Sequence, residues 1–275
     1  KTPPAATLRR NVKDSVFRML FGQNAYALQL YRVLHQEDAQ VEESDLQIEL
    51  LSNVLTNKGL YNDLGIMVRQ NLMVFVEAQT NWDKQTVVRC FNYAAHWLGR
   101  WLDKRDAIAR EISGKAAKDD EFCNLFILDD MPVLPDIELY VVYTGGQKPP
   151  ASTTMKQYYG KTGKKGIDCY VDVIAPGDSR LHGQENILRQ YLRFVAIVNE
   201  DRKNMNAEDL AQHVLKRCRE EGILMEFLKE HEGEVVSVID RYFSQEYREI
   251  NDRADTDLEL LQKGFRRGHA EGHAE

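Results

Sequence analysis

Asp63, Glu77 and Gln79 are the residues whose types and spacing can do chemistry. Successive side chains of a strand alternate between its faces, so Glu77 and Gln79 point the same way. Their neighbours Val74, Val76 and Ala78 are apolar. A carboxylate and a carboxamide inside such a run are costly to bury unless something binds them. A turn near Gln70-Asn71 pairs residue 63 with about 78, which sets Asp63 beside Glu77 and Gln79. Two carboxylates converging at a sheet end, with the Ala78 carbonyl as a further donor, make a hard-oxygen site suited to Mg²⁺ or Mn²⁺. A divalent cation held there acts as a Lewis acid on a phosphodiester and stabilises charge developing at phosphorus. Gln79 can orient water through its amide but brings no charge, which leaves the cationic role to the metal or to Arg89. Two plainer readings compete. Asp63 after Asn62 can be a turn residue, and Glu77 can be a charge that keeps an edge strand soluble.

These residues need elements to position them. Helical periodicity runs over 11–34 through Val12, Val16, Met19, Leu20, Tyr26, Leu30 and Leu34. An acidic bridge from Gln36 to Asp45 precedes an aliphatic run, Ile48 to Leu55, whose composition suits a first strand and is also compatible with a helix. Two apolar runs, 60–69 and 72–80, separated by a polar pair, read as a β-hairpin. Asn81 or Asp83 can cap a helix over roughly 83–102, with Val87, Val88, Phe91, Ala94, Ala95, Leu98 and Leu102 as its apolar residues. Gln85, Arg89, Tyr93 and Trp97 fall on one stripe of it, either a solvated face or the wall of a cleft. Leu139–Tyr143 is a strand ended by Gly145-Gly146, and Cys169–Ile174 reads as another. The state of Phe122–Leu128 stays open. Helices are expected over 186–199, 206–230 and 233–250. The expected division is a mixed α/β core over 1–180, a helical region over 181–255 and a charged tail over 256–275.

The order helix, three strands, helix, strand, carrying Asp63 and Glu77-Ala78-Gln79, resembles the PD-(D/E)XK nuclease superfamily. Lys13-Asp14-Ser15-Val16-Phe17-Arg18-Met19-Leu20-Phe21 tightens the match. That segment resembles the N-terminal motif of the recombination-promoting nucleases, the PD-(D/E)XK nuclease family transposases. In these an Asp and a Phe-basic-x-x-Phe unit precede a hairpin carrying Asp and Glu-x-Gln. Arg89 and Tyr93 match a following helix. The resemblance covers roughly residues 13–145. It implies a restriction-endonuclease-like mixed sheet flanked by helices, and bacterial, Mg²⁺-dependent DNA cleavage in a recombination or transposition setting. The site residues it implies are Asp63, Glu77, Gln79, Arg89 and Asp14, with Asp63, Glu77 and Ala78 on the metal. Asn62 stands where the superfamily has proline, and Gln79 where it has lysine. Asp14 read by itself is equally a helix N-terminal charge favoured by the macrodipole. The rival from another class is a catalytically weak or inactive DNA-binding or assembly protein on the same fold.

Net charge is −7, which at first opposes a nucleic-acid partner. Residues 200–275 hold 19 acidic and 12 basic side chains, 12 − 19 = −7, so residues 1–199 are neutral overall. Two basic stretches lie in that neutral part. Residues 1–18 hold Lys1, Arg9, Arg10, Lys13 and Arg18 against Asp14 alone; residues 145–166 hold Lys148, Lys156, Lys161, Lys164 and Lys165 with no acid. Phosphate contacts need a local patch rather than a basic total, so these are the candidate DNA-binding residues beside the reading as solvated loops. Tyr158 and Tyr159 among the lysines suit either base stacking or packing on the body. Four cysteines far apart, with no CxxC pair, argue for reduced thiols in a cytoplasmic protein. Lys1-Thr2-Pro3-Pro4 carries no apolar signal-peptide region, and no apolar run reaches the length of a membrane span. His269 and His273 in the repeated tail would share a helix face, but with no third ligand they read as a solvated end. Nothing calls for an organic cofactor or a membrane. DNA is the expected partner, and a homo-oligomer is compatible with the sequence.

Overall fold

The computed structural model describes residues 12–49, 64–80, 82, 85–113, 134–158, 167–183, 185–202 and 207–243. The expectations about Asp63, Arg9, Arg10, Lys161, Lys164, Lys165, Tyr159, Phe122–Leu128, His269 and His273 lie outside the described residues. The chain divides into two compact units, residues 17–192 and residues 1–16 with 193–275. The shift to a helical pattern in the sequence predicts a boundary near 180 instead.

Helices α1 (Val12–Phe21) and α2 (Asn24–Leu34) stand where a single helix was expected. Gly22, a poor helix former, interrupts it. Its N–H still donates to the Arg18 carbonyl at 2.9 Å, but Gln23 is extended at φ −104°, ψ 134°. A six-stranded mixed sheet follows in the order β1-β2-β3-β4-β6-β5. Its strands are β1 (Leu46–Glu49), β2 (Leu64–Val68), β3 (Leu72–Gln79), β4 (Asp136–Tyr143), β5 (Ser152–Thr154) and β6 (Tyr170–Ile174). β1, β2 and β3 form an antiparallel meander; β4 runs parallel to β3 and β6 parallel to β4; β5 returns antiparallel on the edge. Between β3 and β4 comes helix α3 (Thr86–Ser113), as a crossover between parallel strands requires.

The hairpin exists where it was expected, with its register moved. A turn at Gln70-Asn71 would set residue 64 opposite 77, but Leu64 pairs with Val76. The turn is centred one residue earlier: Arg69 and Gln70 both have left-handed φ, 46° and 60°, and the Asn71 N–H donates to the Val68 carbonyl at 3.1 Å. Such a turn normally announces itself with Asn-Gly, and here it does not. Arg69 is held instead by its side chain, to Asp45 at 3.1 Å and to the Gln40 carbonyl at 3.0 Å.

The sheet is covered on both faces. Met67, Met73, Phe75, Leu139, Val141 and Val171 pack against Val87, Cys90, Ala94 and Trp97 of α3. On the opposite face the end of α2 meets β4, where His35 touches Glu138 and Tyr140. Because β3 is buried on both sides, its run reads almost continuously apolar. β5, unannounced in sequence, forms inside the expected lysine loop: its three residues pair with β6, and the buried Thr153 bonds Gln157 at 3.1 Å.

In the second unit, the end of α4 (Ile187–Asp201) lies with α5 (Ala207–Glu221) and α6 (Met225–Phe243). The helix expected over 206–230 breaks at Gly222. That glycine is left-handed at φ 68°, and the Ile223 N–H caps the Cys218 carbonyl at 2.8 Å, a Schellman closure. Arg193 and Arg217 tie α4 to α5 through Glu200, Asp201 and Glu221. No helix among the described residues is long and apolar enough to cross a membrane.

Candidate functional site

β3 is the central strand, and its alternation sends Met73, Phe75, Glu77 and Gln79 toward α3. Glu77 and Gln79 are each only 8% exposed, so both polar groups are paid for by partners or not at all. The partners come from the first turn of α3. Thr86, Arg89 and Cys90, spaced i, i+3, i+4, share one stripe of the helix and face the end of the strand. The Arg89 guanidinium donates through Nη2 to Glu77 Oε1 at 3.1 Å, to Gln79 Oε1 at 3.0 Å and to Thr86 Oγ1 at 3.3 Å. The Thr86 hydroxyl in turn donates to Gln79 Oε1 at 3.0 Å. The Cys90 thiol reaches Glu77 Oε2 at 3.9 Å. Burial pushes that thiol well up and the Glu77 charge adds to the rise, so it stays a protonated donor.

Three of the expected residues therefore meet: Glu77, Gln79 and Arg89. Asp63 lies outside the described residues. Asp14 falls in the other compact unit, on α1, with Lys13 Nζ at 3.4 Å. The Ala78 side chain is on the face opposite Glu77, and its carbonyl is the backbone oxygen between the two polar residues. The stripe Gln85-Arg89-Tyr93-Trp97 is neither a solvated face nor a cleft wall along its length. Gln85 is exposed, Arg89 turns inward, and Tyr93 and Trp97 are core. Among the described side chains of α3 the buried ones are Thr86, Val87, Cys90, Tyr93, Ala94 and Trp97, while Val88 and Ala95, expected inside, are exposed. The reason is helical phase: Thr86, Cys90, Tyr93 and Trp97 fix the inward face, and positions 88 and 95 fall on the opposite side of the helix.

Among the candidate phosphate contacts, Lys148 is exposed, but Lys156 is an ion pair, its Nζ 3.0 Å from Asp168. Asp168 lies just beyond the acid-free stretch, and the pair holds its carboxyl below the usual range. Tyr158 packs on the core cluster, with its hydroxyl 3.1 Å from Thr153 Oγ1, so it is a structural residue. Sequence reasoning passed over Glu49. It lies on β1 opposite Gly65, on the sheet face that carries Phe75 and Glu77; its carboxylate accepts from Trp97 Nε1 at 2.9 Å and lies 3.6 Å from Arg100. A lone acid within an aliphatic run was the signal that could have found it.

Among the described residues no group of three or more His, Cys, Asp or Glu is placed to hold a metal ion. Glu77 offers a carboxylate and Ala78 a carbonyl, both oxygen ligands of the kind a hard cation takes, with the protonated Cys90 thiol beside Glu77 Oε2. One carboxylate and one carbonyl leave the set short of a second acid, the place Asp63 was expected to fill. Gln79 lies at the carboxyl end of β3, in register with Tyr143 at the end of parallel β4. Such ends are where open α/β sheets bind their ligands. Here the loops beyond them are sewn together: the Thr144 N–H donates to the Gln79 carbonyl at 2.8 Å, and Thr80 and Thr144 hydroxyls lie 3.1 Å apart. Compared with known proteins, the chain matches no family model, no curated protein and no solved structure at a significant level.

Proposed function

We propose that this chain is a magnesium-dependent DNA endonuclease on a restriction-endonuclease-like, PD-(D/E)XK, fold. The order helix, antiparallel meander, helix, parallel strand supports that reading. The observation that carries it is the pairing of a buried carboxylate and carboxamide, Glu77 and Gln79, at the carboxyl end of the central strand on one guanidinium. Asp63, Glu77 and the Ala78 carbonyl would hold the cation, which when bound supplies Lewis acidity toward the phosphodiester. Arg89 brings to this spot the positive charge that Gln79 lacks. Since the Gln79 oxygen accepts from Arg89 and Thr86, orienting water falls to its Nε2 amide. The buried free thiols Cys90, Cys169 and Cys218 fit a reducing, cytoplasmic setting.

That same engagement of Gln79 favours one second reading, a DNA-binding protein that keeps the fold without the cleavage. Supercoiled plasmid incubated with the protein and Mg²⁺ or Mn²⁺ decides between them. Nicks that vanish in Asp63→Asn and in Glu77→Gln, with unchanged melting, support the endonuclease. Full nicking by either variant would sink the proposed site, and retardation of DNA without any wild-type nicking would leave the binding protein.

A further inference from the structure

Beyond the carboxyl ends of β4 and β6 lies a cavity of about 500 Å³, between the segments 143–151 and 173–178. That volume is typical of sites for a small organic ligand. Pro149, Pro150 and Pro176 give it rigid apolar walls beside Val173. Two charged groups line it, Lys148 and Asp178. Lys148 is exposed and has no acidic partner among the described residues, unlike Lys156. Asp178 is locked in place by Arg180, whose backbone N–H and Nε each donate to Oδ1 at 2.9 Å and whose Nη2 donates to Oδ2 at 2.7 Å. Arg180 is in turn anchored to Asp172 of β6 at 2.6 Å. The cavity thus combines flat apolar walls, a fixed hydrogen-bond acceptor and one unpaired cation. A planar ring with a donor edge, attached to an anion, matches all three. Tyr143 of its lining is the register partner of Gln79 on the neighbouring strand.

We infer that this cavity takes one nucleotide of a DNA strand, its base against the proline walls with an amino edge toward Asp178 and its phosphate at Lys148. The identity of the strand rests on the endonuclease reading; the nucleotide chemistry rests on the cavity alone. The full-length chain, without divalent metal and at low salt, is titrated calorimetrically with deoxyadenosine and with deoxyadenosine monophosphate. A fluorescein-labelled single-stranded deoxyoctanucleotide is followed by anisotropy. Lys148→Ala should weaken the monophosphate and the oligonucleotide about tenfold and leave the nucleoside unchanged, the size of one charge-assisted contact. Ala175→Trp, which fills the cavity, should weaken all three probes, and Ala151→Trp repeats the block from the other lining segment. The inference is overturned if the wild type binds none of the probes, or if folded Lys148→Ala and both blocking variants keep wild-type affinities. Binding of the monophosphate but not of the oligonucleotide would overturn the strand assignment in favour of a free nucleotide. Plasmid nicking is read in parallel: its absence alongside Lys148-dependent nucleotide binding would remove the endonuclease reading and leave the cavity's chemistry standing.

Discussion

Glu77 cannot be removed as though it were only a metal ligand. Its Oε1 neutralises Arg89, whose side chain is 23% exposed, and deleting one partner of such a pair strands the other. Glu77→Ala should therefore cost about 2–3 kcal/mol of stability, less than a fully buried pair because Arg89 keeps some water. Glu77→Gln keeps an acceptor for the guanidinium and isolates the chemistry. The same geometry changes what a lysine at position 79 would do. An ammonium there faces Arg89 across the distance now spanned by a 3.0 Å hydrogen bond. Like charges repel by about 4 kcal/mol at 4 Å for an effective dielectric of 20, an effect that pairing with Glu77 offsets only in part. Gln79→Lys is expected to lower both melting temperature and nicking, and the double variant Gln79→Lys/Arg89→Gln to recover them. Calorimetry and plasmid assays on the three proteins decide it. A single variant as stable and as active as wild type would show that Arg89 does not supply the site's charge.

The element that frames the candidate site is the turn after β4. Gly145 and Gly146 look alike in sequence, both read as a strand terminator, yet they do different work. A methyl group on Gly145 would run into the Thr80 carbonyl and the Tyr143 hydroxyl, whereas one on Gly146 meets nothing within 4 Å. Gly145 is the place where the β4 loop closes on the β3 loop, beside the Thr144 to Gln79 hydrogen bond. Gly145→Ala should therefore destabilise by about 1–3 kcal/mol, as overpacking against backbone does, and disturb the end of β3. Gly146→Ala should be neutral within about 0.5 kcal/mol. Chemical denaturation of the two variants tests the contrast, and equal midpoints would refute it.

The molecule is acidic by seven charges, and a component of its pH-dependent stability that titrates near neutrality lies on the sheet face opposite α3. His35 is buried, with Nε2 at 2.6 Å from Glu138 Oε2 and Nδ1 at 3.2 Å from the Tyr31 carbonyl. Burial pushes its pKa down, but the hydrogen bond and charge of Glu138 outweigh this and raise it overall. The His35 bond, joined by that of the Tyr140 hydroxyl, in turn holds the Glu138 carboxyl below its usual value against the opposing effect of burial. A raised histidine stabilises fully below its unfolded pKa of about 6.5 and loses that contribution as pH climbs through the folded value. A depressed glutamate contributes above about 4.3 and loses it as pH falls through its folded value. The pair is thus strongest between roughly pH 4.5 and 6.5 and weakens above. With Glu138 over a third exposed, the loss is on the order of 1 kcal/mol, or about 2–4 °C in melting temperature. His35→Gln should flatten that part of the melting profile between pH 6 and 9. An unchanged profile would show that the pair is not ionised in the folded protein.

The hairpin, the shared face of Glu77 and Gln79, the strand before Gly145 and the helix after β3 were legible in the residues alone. Each depends on alternation, on 3.6-residue periodicity or on local breakers, which neighbours in the chain decide. The interruption at Gly22, the left-handed turn at Arg69-Gln70, the edge strand β5 and the ion pair of Lys156 were not. Arg69 sits in its turn because Asp45 and the Gln40 carbonyl hold its side chain, and Lys156 is neutralised by an acid across a loop. Arg89 makes the distinction sharpest. On its helix it is one polar residue in a stripe, and only the end of β3, arriving with Glu77 and Gln79, makes it an inward-facing partner of both. Which face a strand presents is a local property of the backbone; what that face meets depends on which elements pack together, and that the tertiary structure decided.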